Sequence, residues 1–144
     1  MTKKFYFTVA LSLFLSIYVN AKKVAFLVGI GNYPASSGWQ RISSTNDIDL
    51  LKTLLIAKGF KVNVLVNAQA TKAGIETGLK KLINSTSTGD EIIIHFSCHG
   101  QQMQDDNKDE TDDGLDEAII PYDAQRIYEK GIYEGENHFR DDLL

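Results

Sequence analysis

Glu91-Ile92-Ile93-Ile94-His95-Phe96-Ser97-Cys98-His99-Gly100 opens as an apolar, β-branched run and turns polar at Ser97. Such a run fits a strand buried on both faces of a parallel sheet. In open α/β sheets ligands sit in the crevice beyond the carboxyl ends of the strands, so Ser97, His99 and Gly100 are delivered to that crevice and not to the core. A lone histidine near a core is more often a structural residue. Here its place at a strand's end, followed by glycine, favours a functional one. Glycine lets a substrate backbone approach closely, and its N–H can donate to a developing oxyanion.

Alternation along an extended strand puts His95, Ser97 and His99 on one face and Ile94, Phe96 and Cys98 on the other. Cys98 is therefore a poor candidate for a nucleophile activated by His99, and reads as a small buried hydrophobe. A metal pair of His95 and His99 is excluded on similar grounds: a spacing of four suits a helix, whereas on a strand the two lie about 13 Å apart.

Working outward, residues 24–30 form a first buried strand, followed by a loop over 31–44 rich in Gly, Pro and Ser. Gly29-x-Gly31 lacks the third glycine and the helix of a dinucleotide fingerprint, so a nicotinamide or flavin cofactor is not expected. Ser44-Thr45-Asn46-Asp47 predicts a helix start with a capping box. That helix carries Ile48, Leu51, Leu54 and Leu55 at helical spacing and stops at Lys58-Gly59. A second strand covers residues 60–66, and Thr71 caps a second helix with Ile75, Leu79, Leu82 and Ile83 on one face. Strand, helix, strand, helix, strand predicts a parallel α/β sheet with right-handed crossovers.

Beyond Gly100, residues 105–117 carry eight carboxylates against Lys108 alone, which predicts an acidic loop. An EF-hand counted from Asp105 fails, because Glu110 stands where the turn needs glycine. Residues 118–121 read as a short strand, residues 122–139 as a polar excursion, and residues 140–144 as the start of a helix.

The 144 residues amount to one domain preceded by an export signal at residues 1–21: Lys3 and Lys4, an apolar run over 5–19, and Val19-Asn20-Ala21 as the cleavage site. An apolar run of about 15 residues is short of the roughly 20 needed to span a bilayer, and no cysteine marks a lipid anchor, so no stable membrane anchor is expected. Cleavage removes two of the fifteen basic residues and none of the nineteen acidic ones, leaving thirteen against nineteen. That net negative charge argues against nucleic acid as a partner. Cys98 is the only cysteine, so the exported domain is held by its core without an internal disulfide.

His95-Phe96-Ser97-Cys98-His99-Gly100 after an apolar strand, followed by Asp109-Glu110-Thr111-Asp112-Asp113-Gly114-Leu115-Asp116-Glu117-Ala118-Ile119-Ile120-Pro121-Tyr122-Asp123, resembles the caspase-like cysteine peptidases, and within them the metacaspases and their bacterial relatives. The likeness runs from the first strand through Asn46-Asp47 to Asp141-Asp142. It departs at Cys98, where metacaspases usually carry glycine. The resemblance implies an αβα sandwich with a mostly parallel sheet, truncated here before the strand that would carry the nucleophile, so that residues 22–144 are the N-terminal part of the peptidase domain.

The resemblance further implies that His99 is the catalytic histidine and that Gly100 supplies an oxyanion N–H. Asp47 and Ser97 match positions lining the pocket for the substrate's P1 side chain, an Arg or Lys, and an Asp at a helix start can pair bidentately with a guanidinium. Asp47 reads equally well as a helix cap. Arg41, six residues before Asp47, resembles instead the arginine of aspartate-preferring caspases. Asp116, Asp141 and Asp142 match calcium-binding positions, and hard oxygen ligands are what calcium takes. The expectation is an exported cysteine endopeptidase, periplasmic or extracellular, acting on peptide or protein substrates with Ca2+ and no organic cofactor. This chain would bring only the acid–base half and be inactive alone. The alternative is a catalytically dead caspase-like module binding calcium or protein.

Overall fold

A computed structural model describes residues 21–105, 107 and 113–143; residues 1–20, which make up all but the last residue of the expected export signal, residues 106 and 108–112 of the acidic stretch, and residue 144 lie outside them. Three parallel strands, β1 (Lys23–Gly29), β2 (Lys61–Val66) and β3 (Glu91–Ser97), form a sheet in the order β2-β1-β3, with α1 (Ser44–Ala57) and α2 (Lys72–Ser85) as the crossovers.

The central strand β1 is apolar throughout because both its faces are covered. Val24, Phe26 and Val28, continued by Ile30, enter one core layer with Ile75 and Leu82 of α2. Ala25 and Leu27 enter the other with Ile48 and Leu55 of α1 and with Phe60. The layers alternate with the period of two that strand geometry imposes. Gly78 allows α2 to lie directly on β1, since a Cβ there would fall 2.4 Å from Cζ of Phe26.

Helix ends follow local chemistry. Thr71 caps α2, its hydroxyl accepting the Gly74 N–H at 3.1 Å. α1 closes in a Schellman arrangement, with Gly59 N–H donating to the Ile56 carbonyl, Phe60 N–H donating to the Leu55 carbonyl, and Gly59 in the left-handed region at φ 84°. The expected capping box at Ser44 does not form: Ser43 is the N-cap, and it makes no side-chain capping bond. Asp47 is drawn instead to the end of β3. Leu54 and Ile83, expected on the buried faces, are 54% and 69% exposed, because each helix meets the sheet along a narrower stripe than the sequence pattern suggested.

A second, antiparallel sheet follows β3, in the order β4-β5-β6 with β4 (Gly100–Gln104), β5 (Leu115–Ile119) and β6 (Phe139–Arg140). This corrects two expectations. Residues 115–117, read as the end of an acidic loop, belong to β5, and Phe139, read as the end of the polar excursion, and Arg140, read as a helix start, pair with β5 before a single 3-10 turn at Asp141–Leu143. In β5 Asp116 and Ala118 are buried while Glu117 is exposed, so Asp116 occupies an inward position of an alternating strand. The sequence-predicted strand over 118–121 thus starts three residues earlier and ends at Ile119.

Candidate active site and an acidic cluster

β3 ends at Ser97, and β4 begins at Gly100, so Cys98 and His99 form the junction between the two sheets. The His99 backbone is held on both sides. Its carbonyl accepts from Ile120 N–H at 3.0 Å, and its N–H donates to the Tyr33 hydroxyl at 3.3 Å, while that hydroxyl donates to the Ile120 carbonyl at 2.9 Å. Burial pushes the Tyr33 phenol well above its ordinary pKa, keeping it a donor.

The His99 ring lies 2.8 Å, through Nε2, from the Gln40 carbonyl oxygen. A carbonyl can only accept, so Nε2 carries the proton and the neutral ring keeps its lone pair on Nδ1. That is the tautomer a general base at Nδ1 requires. Trp39 stacks on the ring, with centroids 5.1 Å apart and planes 28° apart, and Tyr33 lies 5.4 Å away.

Gly100 faces Ile119 across the β4–β5 ladder. Because Ile120 N–H donates to the His99 carbonyl, the His99–Ile120 pair is the hydrogen-bonded one, and alternation makes the next pair the non-bonded one, with the Gly100 N–H directed away from β5. A Cβ at Gly100 would meet only the Ala118 carbonyl, at 3.6 Å, so packing alone does not demand glycine here.

Ser97 Oγ donates to Asp47 Oδ2 at 2.9 Å, joining the carboxyl end of β3 to the first turn of α1. The Asp47 carboxylate thus lies beside the end of β3. Arg41 is exposed and lines a cleft of about 310 Å3 with Asn32, Ile42, Ser43, Thr45 and Asn46; Asp47 is not in its lining. Cys98 faces away from Ser97, packed against the α2-side core, and burial pushes its thiol up to about 11. A thiol so placed is poorly ionised near neutrality.

Asp116, Asp141 and Asp142 converge, with one ligand atom from each lying within 4.8 Å of the others. Asp116 is fully buried, and its Oδ1 has no hydrogen-bond partner, while Oδ2 pairs with Arg140 at 2.5 Å. Burial lifts the Asp116 carboxyl above its usual range, opposed by the Arg140 guanidinium and reinforced by the Asp142 charge. Among the described residues, three carboxylates converge here beside the Arg140 guanidinium. The Asn107 side-chain amide donates to Asp142 Oδ2 at 3.1 Å. An orphaned buried carboxylate oxygen beside two exposed ones fits a hard divalent cation.

Sequence reasoning passed over several residues of the site. Tyr33 and Trp39 lie in a loop whose aromatic pair, just after the first strand's carboxyl end, was the available signal. Gln40 acts through its backbone, which no side-chain pattern reveals. Asn67, at φ 45°, accepts both Gly31 and Asn32 N–H at 3.0 Å and so sets the base of that loop. Among the described residues no helix is long and apolar enough to cross a membrane.

Residues 22–143 match the family model of the caspase domain. Metacaspase-4 of Arabidopsis thaliana is 32% identical over 114 residues, which cover 73% of this chain and 27% of that protein. Metacaspase-1 of Yarrowia lipolytica is 34% identical over 117 residues, covering 74% of this chain and 25% of the relative. The chain thus spans about a quarter of the length of these relatives. Among solved structures, protein GSU0716 from Geobacter sulfurreducens superposes with a TM-score of 0.64 at 24% identity, over 85% of this chain and 42% of that one, a likeness of fold. The match to the caspase domain over residues 22–143, with metacaspases as relatives, places the chain in the caspase-like cysteine peptidase family.

Proposed function

We propose that this chain supplies the acid–base half of a caspase-like cysteine endopeptidase that cleaves after Arg or Lys, and that it is inactive alone. The observation that carries the reading is His99, held at the junction of the two sheets with Nε2–H committed to the Gln40 carbonyl. In the reaction a thiolate attacks the scissile carbonyl. The Gly100 N–H stabilises the oxyanion, and Nδ1 of His99 delivers the thiol's proton to the departing amine as the C–N bond breaks. His99 then takes a proton from water as it attacks the thioester, which restores the thiol.

In this reading the thiol is not Cys98, which is half-buried against the α2-side core with a raised pKa. In this reading it comes from a further strand beside β3, where Ile92 and Ile94 remain 44% and 46% exposed. Asp47 and Ser97 hold the substrate's basic P1 side chain through a charge-assisted bond, which their 2.9 Å contact supports. The test is the longer reading frame assayed on peptidyl-Arg and peptidyl-Lys substrates. We expect cleavage that His99→Ala abolishes and none from the 144-residue chain alone; cleavage indifferent to His99→Ala sinks the assignment.

Asp116, Asp141 and Asp142 would hold a calcium ion, which supplies positive charge that ties β5 to the turn after β6. Titration of the chain with calcium chloride by calorimetry should release heat that Asp116→Ala removes, and no heat from either protein overturns the site. Export rests on residues 1–21, and the amino terminus of secreted protein beginning at Lys22 is its check. A second reading, a caspase-like calcium-binding module without catalysis, is favoured by an acidic cluster whose geometry is independent of any thiol. A residue other than Cys at the end of the strand beside β3 would select it.

A further inference from the structure

We infer that Trp39 is a positioning residue for His99, selecting the imidazole orientation in which Nε2–H meets the Gln40 carbonyl. A single hydrogen bond to a carbonyl does not by itself fix a histidine ring. Rotation about Cβ–Cγ out of the observed plane carries Nε2–H away from the Gln40 carbonyl, and the proton is then free to sit on Nδ1 or Nε2. The indole removes that freedom. It lies against the imidazole at 5.1 Å with planes 28° apart, close to parallel, while Tyr33 stands at 5.4 Å and 44°. Tyr33 and Trp39 are themselves 6.2 Å apart, so the three rings form one cluster and the imidazole cannot turn without displacing a neighbour.

The indole is held in its turn. Its Nε1–H donates to the carbonyl of buried Ala124 at 3.1 Å. The segment bearing Ala124 is anchored at several points: Tyr122 N–H donates to the Ala70 carbonyl, Asp123 Oδ1 accepts from Lys72 N–H, and Arg126 N–H donates to the Ser37 carbonyl. The position of the wall over His99 is therefore set by the segment after β5 and by the start of α2, not by the flexible-looking Gly, Pro and Ser loop that carries Trp39. The residue also precedes Gln40, so one short stretch provides both the stacking surface and the carbonyl that fixes the tautomer.

The experiment is long-range 1H–15N correlation on the imidazoles of the 144-residue chain at alkaline pH, where histidine is neutral, with His99 assigned by its loss in His99→Gln. The wild type should show a single Nε2–H tautomer for His99. Trp39→Phe keeps an aromatic face and should retain it. Trp39→Leu and Trp39→Ala should give averaged Nδ1 and Nε2 shifts, with the wrong orientation rising by about tenfold, the scale of a lost aromatic contact. The His138 resonances, held by Tyr133 and Gln101, should stay unchanged in all variants and report that the fold is intact. Unchanged His99 tautomers in folded Trp39→Leu overturn the inference, as does a His138 shift in step with His99, which would mark general loosening. The consequence for catalysis rests on His99 being the acid–base group. The readout does not, so a tautomer selected by Trp39 together with cleavage by the longer reading frame that is indifferent to His99→Ala would refute that assignment and leave this inference standing.

Discussion

Removing one oxygen, in Tyr33→Phe, tests whether the phenol is the pin that joins the loop after β1 to the junction carrying His99. The hydroxyl donates to the Ile120 carbonyl at 2.9 Å and accepts from the His99 N–H at 3.3 Å. The shorter bond contributes about 1 kcal/mol net. Ile120 is fully buried, so water does not replace the lost donor, and stranding its carbonyl adds roughly 1 kcal/mol more. The longer bond is near the geometric limit and is counted as nothing.

The expected loss is thus about 2 kcal/mol, or roughly 8 °C in Tm for a domain of this size. Urea denaturation followed by circular dichroism reads the total, and amide exchange at His99 reads the place, where protection should fall by at least about tenfold. Because burial raises the folded-state pKa of the phenol above its ordinary value of 10.0, its contribution is fully present below pH ~10 and is lost as pH rises from there through the folded-state value. A variant within about 0.5 kcal/mol of wild type, with His99 exchange unchanged, would refute the pin.

Cys98 should resist alkylation by iodoacetamide in the native chain at pH 8 and react promptly in denaturant, since burial pushes its thiol up to about 11; equal rates in both states would return it to the list of nucleophiles. His138 is buried between the Tyr133 hydroxyl and Gln101, and desolvation, then the Arg140 and Lys72 charges, hold its pKa below the ordinary 6.5 against the opposing Glu136. A depressed folded-state pKa means its contribution is present above pH ~6.5 and is lost as pH falls through the folded-state value, so stability should drop on acidification, and His138→Gln should flatten that slope in urea titrations at pH 7.5 and 5.

The main sheet was legible because its signals are local. β1 is apolar at every interior position since both faces are covered, Thr71 announces α2 by its cap, and Gly59 ends α1 by accepting the left-handed region. The second sheet was not legible. β4 is short and polar and β6 has two residues, and their existence depends on pairing with β5, a contact between residues up to 22 apart that leaves no periodic trace. The burial of Asp116 was hidden for the same reason: in sequence it is one carboxylate among eight, and only the alternation imposed by pairing sends it inward.

Alternation also separated Cys98 from the polar end of β3 before any coordinates, since neighbours on a strand point to opposite faces. Which of two roles Asp47 plays was open to the sequence, because a carboxylate three residues after Ser44 suits a capping box as well as a pocket. The tertiary structure brings the Asp47 carboxylate to the end of β3, 2.9 Å from Ser97 Oγ, a contact that no local pattern announces. The sequence by itself determined the strand–helix order, the placement of Ser97, His99 and Gly100 beyond a sheet edge, and the residue type of each. The tertiary structure decided what holds His99, through the Gln40 carbonyl, the Trp39 face and the Tyr33 hydroxyl. The physical reason is range: strands and caps follow from neighbours along the chain, whereas a ring's orientation follows from groups that only folding brings within hydrogen-bond and van der Waals reach.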